Sequence, residues 1–516
     1  MTDKFIDQIN SGYSCKGDFV ILGGGVLNGE CVPGVHVKIP LKTLNRHGLI
    51  AGATGTGKTK TLQGVVEALS RKGVPCLMMD IKGDLSGLGA AGEHNSKIDE
   101  RHAKMGVPWE AHSYPVEFLT ISDEKGARLR ATVTEFGPVL FSKILELNDT
   151  QSGVVSLVFK YSDDHKLPLV DLKDFKKVLL FLTNEGKVEI EKEYGRISSA
   201  TTSTIIRKVI ELEQQQADKF FGELSFDPSD LLRLDDQGRG YLNIIRLTDL
   251  QDKPKLFSTF MLSLLAEIYA SFPEEGDLEQ PKLAIFIDEA HLIFSEASSA
   301  LLNQLETIIK LIRSKGVGVF FCTQQPTDIP EAVLAQLGLK IQHSLRAFTA
   351  KDRKTIKSVS ENYPLSDFYK TQDLLTQLGI GEALITALNE KGIPTPLVHT
   401  LLCAPQSRMD VLTAVEIDTI IAGSKLVKKY NQVIDEESAF EILTKKMEEA
   451  TLEGNDKTSE AKPIKESKET SVVGDMVNST VGRQVMRTVT RELTRGLLGA
   501  LGLSGTKRRK SSSSWF

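Results

Sequence analysis

Eight consecutive residues, Gly52, Ala53, Thr54, Gly55, Thr56, Gly57, Lys58 and Thr59, match the spacing of a phosphate-binding loop, G-x-x-x-x-G-K-[ST]. Glycines at 52, 55 and 57 let the backbone approach an anion closely and turn successive N–H groups toward it. Lys58 supplies a point charge for β- and γ-phosphate oxygens, and Thr59 offers a hydroxyl to Mg2+. A glycine-rich turn without nucleotide would not need Lys-Thr at a helix start. Further along, the apolar run LAIFI ends in Asp288 and Glu289. The first acid is placed to hold Mg2+ through water, the second to polarise an attacking water as general base; a solvated acidic turn is the bland alternative. GVGVFFC ends in Thr323, Gln324 and Gln325. A glutamine there can sense the γ-phosphate and orient the water; Gln324 is preferred over Gln325, against both being loop residues. Asp80 ends the run VPCLMMD, ahead of Lys82, Gly83 and Asp84, and is either a further acid of the nucleotide site or a structural loop acid. His291 follows the acidic pair without metal-ligand partners at recognised spacing, and His47 precedes the first strand; both are expected to pack or couple.

These groups need elements to hold them. HGLIA reads as a short strand leading into the loop, after which Leu62, Val65, Val66 and Leu69 recur at helical spacing. Residues 74–80 follow as another buried-type strand, giving a parallel β-α-β unit. The first 45 residues hold two glycine-rich stretches and short apolar runs, enough for a few strands or extended arms but not a full barrel. From 85 to 238 the strand–helix rhythm gives way to a mostly helical insertion. GYLNIIRL, PKLAIFIDEAH, GVGVFFCTQQP, LKIQHSLRAF, EALITAL and PLVHTLL then supply strands fitting a parallel sheet buried on both faces.

The expected organisation is a short N-terminal segment (1–45), the two parts of a nucleotide-binding core (46–84 and 239–405) around the insertion (85–238), a helical extension (406–450), a charged linker (451–472) and a basic amphipathic segment (473–516). In the last, Val477, Val481, Val485, Val489, Leu493 and Leu497 recur every four residues, opposite Arg483, Arg487, Arg491 and Arg495. Docking onto the protein itself is its expected use. Lys507 to Lys510 adds a basic cluster that could touch nucleic acid.

A chain of 516 residues predicts about three domains. No apolar run has the length of a membrane span, the start lacks a secretory pattern, and the cytosol is the expected compartment. Five scattered cysteines suggest neither a disulfide framework nor a thiolate metal site. A net charge of -5 argues against a uniformly basic nucleic-acid binder but not against a local patch.

At NRHGLIAGATGTGKTKTLQ, MMDIKGDLSG, ADKFFGEL, FIDEAHLIF, FCTQQPTDIP and QHSLRAFTAKD the chain resembles the HerA/FtsK branch of P-loop ATPases, and within it the bacterial HerA-like ATPases. The resemblance covers about residues 10–500. It implies a mostly parallel RecA/ASCE-type α/β sheet and hydrolysis of ATP with Mg2+. It assigns Lys58 and Thr59 to nucleotide and metal, Asp288 to the metal, Glu289 to the base and Gln324 to the sensor. It also implies a homo-oligomer, in particular a hexamer, in which an arginine from one subunit completes the neighbour's site. Arg346 is the preferred arginine, with Arg313 and Arg408 as alternatives. DNA translocation is the leading activity, with DNA and a protein partner such as a nuclease as expected partners. A regulatory or assembly ATPase acting on a protein without moving DNA is the alternative. A small-molecule kinase fits less well, because Asp288, Glu289 and Gln324 suit attack by water. HerA-type translocases carry a substantial N-terminal β-barrel, whereas only about 45 residues precede this loop.

Overall fold

The computed structural model describes residues 1–456 apart from 251, 252, 277, 297, 298, 433, 435 and 436. Its strands, in chain order, are β1 (Phe19–Leu27), β2 (Glu30–Pro40), β3 (Gly48–Ala51), β4 (Cys76–Asp80), β5 (Val116–Thr120), β6 (Ala127–Arg128), β7 (Leu242–Arg246), β8 (Leu283–Ile287), β9 (Val317–Thr323), β10 (Leu339–Gln342), β11 (Glu382–Thr386) and β12 (Val398–Leu402). They form one twelve-stranded sheet in the order β2-β1-β12-β11-β10-β3-β9-β8-β4-β7-β5-β6. β3, β8 and β9 are buried along their whole length, the burial a sheet covered on both faces demands of such apolar runs. From β10 to β6 every neighbouring pair is parallel. β9 alone separates β3, which feeds the phosphate loop, from β8, which ends in the acidic pair. This is a RecA/ASCE-type P-loop NTPase core.

Three expectations are revised, and one that left two alternatives open is decided. β11 and β12, read as part of a parallel sheet, are antiparallel to their neighbours. Only eleven residues separate β11 from β12, too few for a crossover helix to return the chain in the same direction. Of the two forms open to the first 45 residues, a few strands or extended arms, the structure has strands. After a helix, Thr2–Gly12, β1 and β2 form a hairpin that joins the same sheet through β12, with Gly23 opposite Leu402. A side chain at Gly23 would lie 2.0 Å from the Leu401 carbonyl oxygen, so glycine permits this pairing. The span 85–238 holds five helices between Val133 and Gln214, but it also contributes β5 and β6 to the sheet. β5 is a five-residue run interrupted by Glu117 and β6 only the pair Ala127–Arg128, too short for a periodic signal. The final helix, Ala439–Asp456, runs six residues into the stretch expected as linker, where Leu452 and Glu453 favour helix.

Residues Met1–Lys446 form one compact unit, so the three domains the length predicts are not separate bodies there. Residues 457–516, with the basic amphipathic segment, lie outside the described residues. Among the described residues no helix is long and apolar enough to cross a membrane.

Candidate nucleotide site

The phosphate loop leaves β3 and enters the helix Lys58–Arg71, which buries Leu62, Val65, Val66 and Leu69 against the sheet. Two backbone contacts fix the loop's first residues: the Gly52 amide donates to the Thr323 carbonyl at 3.2 Å and the Ala53 amide to Ser344 at 2.9 Å. Gly55 and Gly57 take φ of 80° and 104°, a region that favours glycine. At Gly52 a side chain would meet His343 Cβ at 2.5 Å. Lys58 is buried, and its Nζ donates to the Gly52 and Ala53 carbonyls at 2.7 and 3.2 Å. Burial pulls the Lys58 pKa below its ordinary value and Lys82 adds to this, against the opposing pull of Glu289 and Asp288. Thr59 is half-buried one residue further along. As the first helical residues, Lys58 and Thr59 have amides without intrahelical acceptors, ready for an anion.

The acidic pair sits at the neighbouring end of β8. Asp288 and Glu289 are both buried. Burial lifts Asp288 to about 6, with Lys82 opposing. Glu289 is held at φ 47°, unusual for a non-glycine residue. Its Oε1 is paired with Lys82 Nζ. Burial pushes the Glu289 pKa up, but the hydrogen bond and charge of Lys82, with His291 and Lys58, outweigh it and keep the carboxyl below its usual range. His291 Nδ1 lies 3.1 Å from Glu289 Oε2 but outside hydrogen-bond geometry, leaving both atoms without a hydrogen bond among the described residues.

Asp80 is buried, and its carboxylate faces its own loop. Oδ1 accepts from the Gly83 and Asp84 amides at 2.7 and 3.2 Å, and Oδ2 from Leu85 at 3.2 Å. Burial lifts its pKa to about 7 against these bonds. Of the two readings of Asp80, the geometry favours the loop acid: it shapes the turn that carries Lys82 to Glu289.

Gln324 is exposed at the end of β9, between the phosphate loop and the acidic pair. Its neighbours are fixed by Asp328 Oδ2, which accepts from Thr323 Oγ1 at 2.6 Å and from the Gln325 amide at 2.9 Å. Arg346, implied as the arginine given to a neighbouring subunit, contacts the loop of its own chain, with Nη2 donating to the Thr54 carbonyl at 3.1 Å. Arg313 is exposed, and Arg408 Nη1 is held by both Glu416 carboxylate oxygens at 3.0 Å.

Sequence reasoning passed over three supports. Lys82 was seen only as a neighbour of Asp80. His343 is buried; its Nε2 lies 2.9 Å from Thr61 Oγ1, its amide donates to Ala51 at 2.7 Å, and burial drops its pKa to about 4. The Gly381 amide donates to the Thr56 carbonyl at 3.3 Å, and Arg101 braces this turn through the Gly381, Leu402 and Ile380 carbonyls at 3.0, 3.1 and 3.2 Å. The motif GDL after Lys82 was the available signal for the first; the other two are long-range contacts with no local pattern.

The residues present fit Mg2+ with a nucleoside triphosphate. Asp84 Oδ1 and Glu289 Oε2 are buried carboxylate oxygens without hydrogen-bond partners among the described residues. Thr59 and Asp288 are the residues that would hold Mg2+.

The chain is similar to the DNA double-strand break repair helicase HerA of Sulfolobus acidocaldarius, 25% identical over 394 residues that cover 73% of this chain and 69% of that one. The protein of the same name from Saccharolobus solfataricus is 23% identical over 386 residues, 73% of this chain and 68% of that one. Among solved structures, the bacterial conjugative coupling protein TrwBdeltaN70 in its unbound monoclinic form aligns with a TM-score of 0.50 at 14% identity, over 79% of this chain and 94% of that one, a likeness of fold. The model of the family described as helicase HerA-like C-terminal matches residues 27–509, and the chain belongs to that family.

Proposed function

We propose that this chain is a cytosolic Mg2+-dependent ATPase of the HerA/FtsK type that assembles into a homo-oligomeric ring, in particular a hexamer, and translocates DNA. The observation that carries the reading is the convergence of Lys58, Asp288, Glu289 and Gln324 on the ends of three adjacent strands, β3, β8 and β9. The loop amides and Lys58 bind and orient the β- and γ-phosphates of ATP. Thr59 and Asp288 would hold Mg2+, which would supply positive charge at the phosphates. Glu289, kept ionised by Lys82, accepts a proton from the attacking water, and Gln324 orients that water. Arg346, at the Thr54 turn of its own loop, is placed to add positive charge beside the phosphates. For the substrate, support comes from the family and from relatives named as DNA repair helicases.

The test is ATP turnover with and without DNA across a salt series. DNA stimulation that weakens with rising salt supports the motor. Turnover indifferent to DNA at every salt concentration rejects it in favour of an ATPase that resets a protein assembly.

A further inference from the structure

Helix Ala350–Glu361 begins four residues after Arg346. It packs Ile356 and Val359 onto a small apolar cluster with Leu345, Leu375 and Leu378. The opposite side exposes Lys351, Arg353, Lys354 and Lys357, and none of these makes an ion pair among the described residues. At 100° per residue the four cations span an arc of about 160°. Between positions 346 and 357 there are five basic residues and one acid, a local charge of +4 in a chain whose total is -5. The one acid, Asp352, is turned back on the helix start, where its Oδ2 accepts from the Phe348 and Thr349 amides at 3.0 and 2.7 Å. Next to this face Phe348 is 80% exposed, an aromatic ring left in solvent beside a row of cations.

Cations in a row with an exposed ring match the two demands of a single strand, charge for its phosphates and a flat apolar surface for a base. A second copy of this chain is the poorer match, since protein interfaces are depleted in lysine and three of these four cations are lysines. We propose that this face holds the phosphate backbone of single-stranded nucleic acid, with Phe348 as a stacking platform for a base. The proposal rests on the reading of the chain as a DNA motor and adds where the strand is held. It also places the strand next to the chemistry: Phe348 is two residues from Arg346, whose guanidinium touches the phosphate loop at Thr54.

The experiment measures binding of a fluorescent oligothymidylate to the full chain over a salt series. It compares wild type, the quadruple variant Lys351→Gln, Arg353→Gln, Lys354→Gln, Lys357→Gln, and Phe348→Ala, with thermal melts and mass distributions as controls for folding and assembly. The quadruple variant no longer neutralises four phosphates, so its slope of log affinity against log salt becomes shallower by about 3. Phe348→Ala keeps the wild-type slope and weakens binding by about fivefold or more. Variants that bind like wild type overturn the surface while leaving the motor reading intact. A quadruple variant that melts normally but falls to a smaller assembly shows that the face meets another copy and also overturns it. Wild type that binds no strand at any salt concentration overturns the surface, and the motor reading then stands or falls on whether DNA stimulates turnover.

Discussion

Lys82→Met removes the one hydrogen-bonded partner, among the described residues, of the buried Glu289 carboxylate proposed as the base. The Glu289 side chain is 7% exposed and that of Lys82 41%, and the other oxygen of Glu289 has no hydrogen bond among the described residues. Breaking a fully buried ion pair from one side costs about 3–5 kcal/mol. With two-fifths of Lys82 open to water, solvent screens part of that interaction, so the loss is roughly 1–3 kcal/mol. Because Lys82 favours the ionised form, losing it raises the Glu289 pKa. The sign is fixed: Lys82 now holds the carboxyl below its usual range, and burial, no longer opposed by that cation, pushes it up. A base works only when ionised, so activity is lost first at low pH. The assay is kcat and KM for ATP with saturating Mg2+ from acid to alkaline pH. In the variant the acid limb of kcat should move to higher pH, with KM close to wild type and recovery in Lys82→Arg. An unmoved acid limb, or a change confined to KM, refutes the placement of Lys82 as the group that positions and ionises Glu289.

The hydrogen bond from Arg346 to Thr54 of its own loop predicts that rings mixed from equal amounts of Lys58→Ala and Arg346→Ala subunits remain as inactive as either alone. Were Arg346 donated to a neighbour, about a quarter of the interfaces in a random ring would pair an intact loop with an intact arginine, and turnover would recover accordingly. His47 is fixed as the neutral tautomer, its Nε2 donating to the Ile309 carbonyl at 2.8 Å and its Nδ1 accepting from the Val319 amide at 3.0 Å, and burial drops its pKa to about 4. Its folded pKa lies below the unfolded value, so the unfolded chain binds more protons between the two and stability is lost as pH falls from about 6.5 toward 4. Denaturant unfolding should show the stability difference between wild type and His47→Gln changing by about 2 kcal/mol between pH 7.5 and 5; an unchanged difference contradicts this.

Much of the core was legible because its signals are local. The Gly-Lys-Thr loop follows its strand and opens its helix directly. The runs ending at Asp288 and Thr323 are apolar throughout because both faces of the sheet are covered. Strand order was not legible: that β3 lies beside β9, and that the N-terminal hairpin reaches the sheet through β12, depend on pairings such as Gly48 with Phe320 and Gly23 with Leu402, hundreds of positions apart. For the same reason Asp80 was ambiguous. A carboxylate after a strand reads alike whether it faces a ligand or the amides of Gly83, Asp84 and Leu85, and only the turn's closure separates the two. Lys82 and His343 were missed because their partners, Glu289 and Thr61, come from distant segments. The unpaired cations of the Ala350–Glu361 helix acquire meaning only once Ile356 and Val359 fix which side faces solvent.

The most direct test of the account is ATP turnover by the purified full chain beside Lys58→Ala and Glu289→Gln. Wild type should hydrolyse ATP with Mg2+, Lys58→Ala should lose turnover together with nucleotide binding, and Glu289→Gln should bind ATP normally while losing turnover by about a hundredfold or more. Glu289→Gln turning over at the wild-type rate would contradict the assigned base, and wild type without turnover under any condition, DNA included, would contradict the account as a whole.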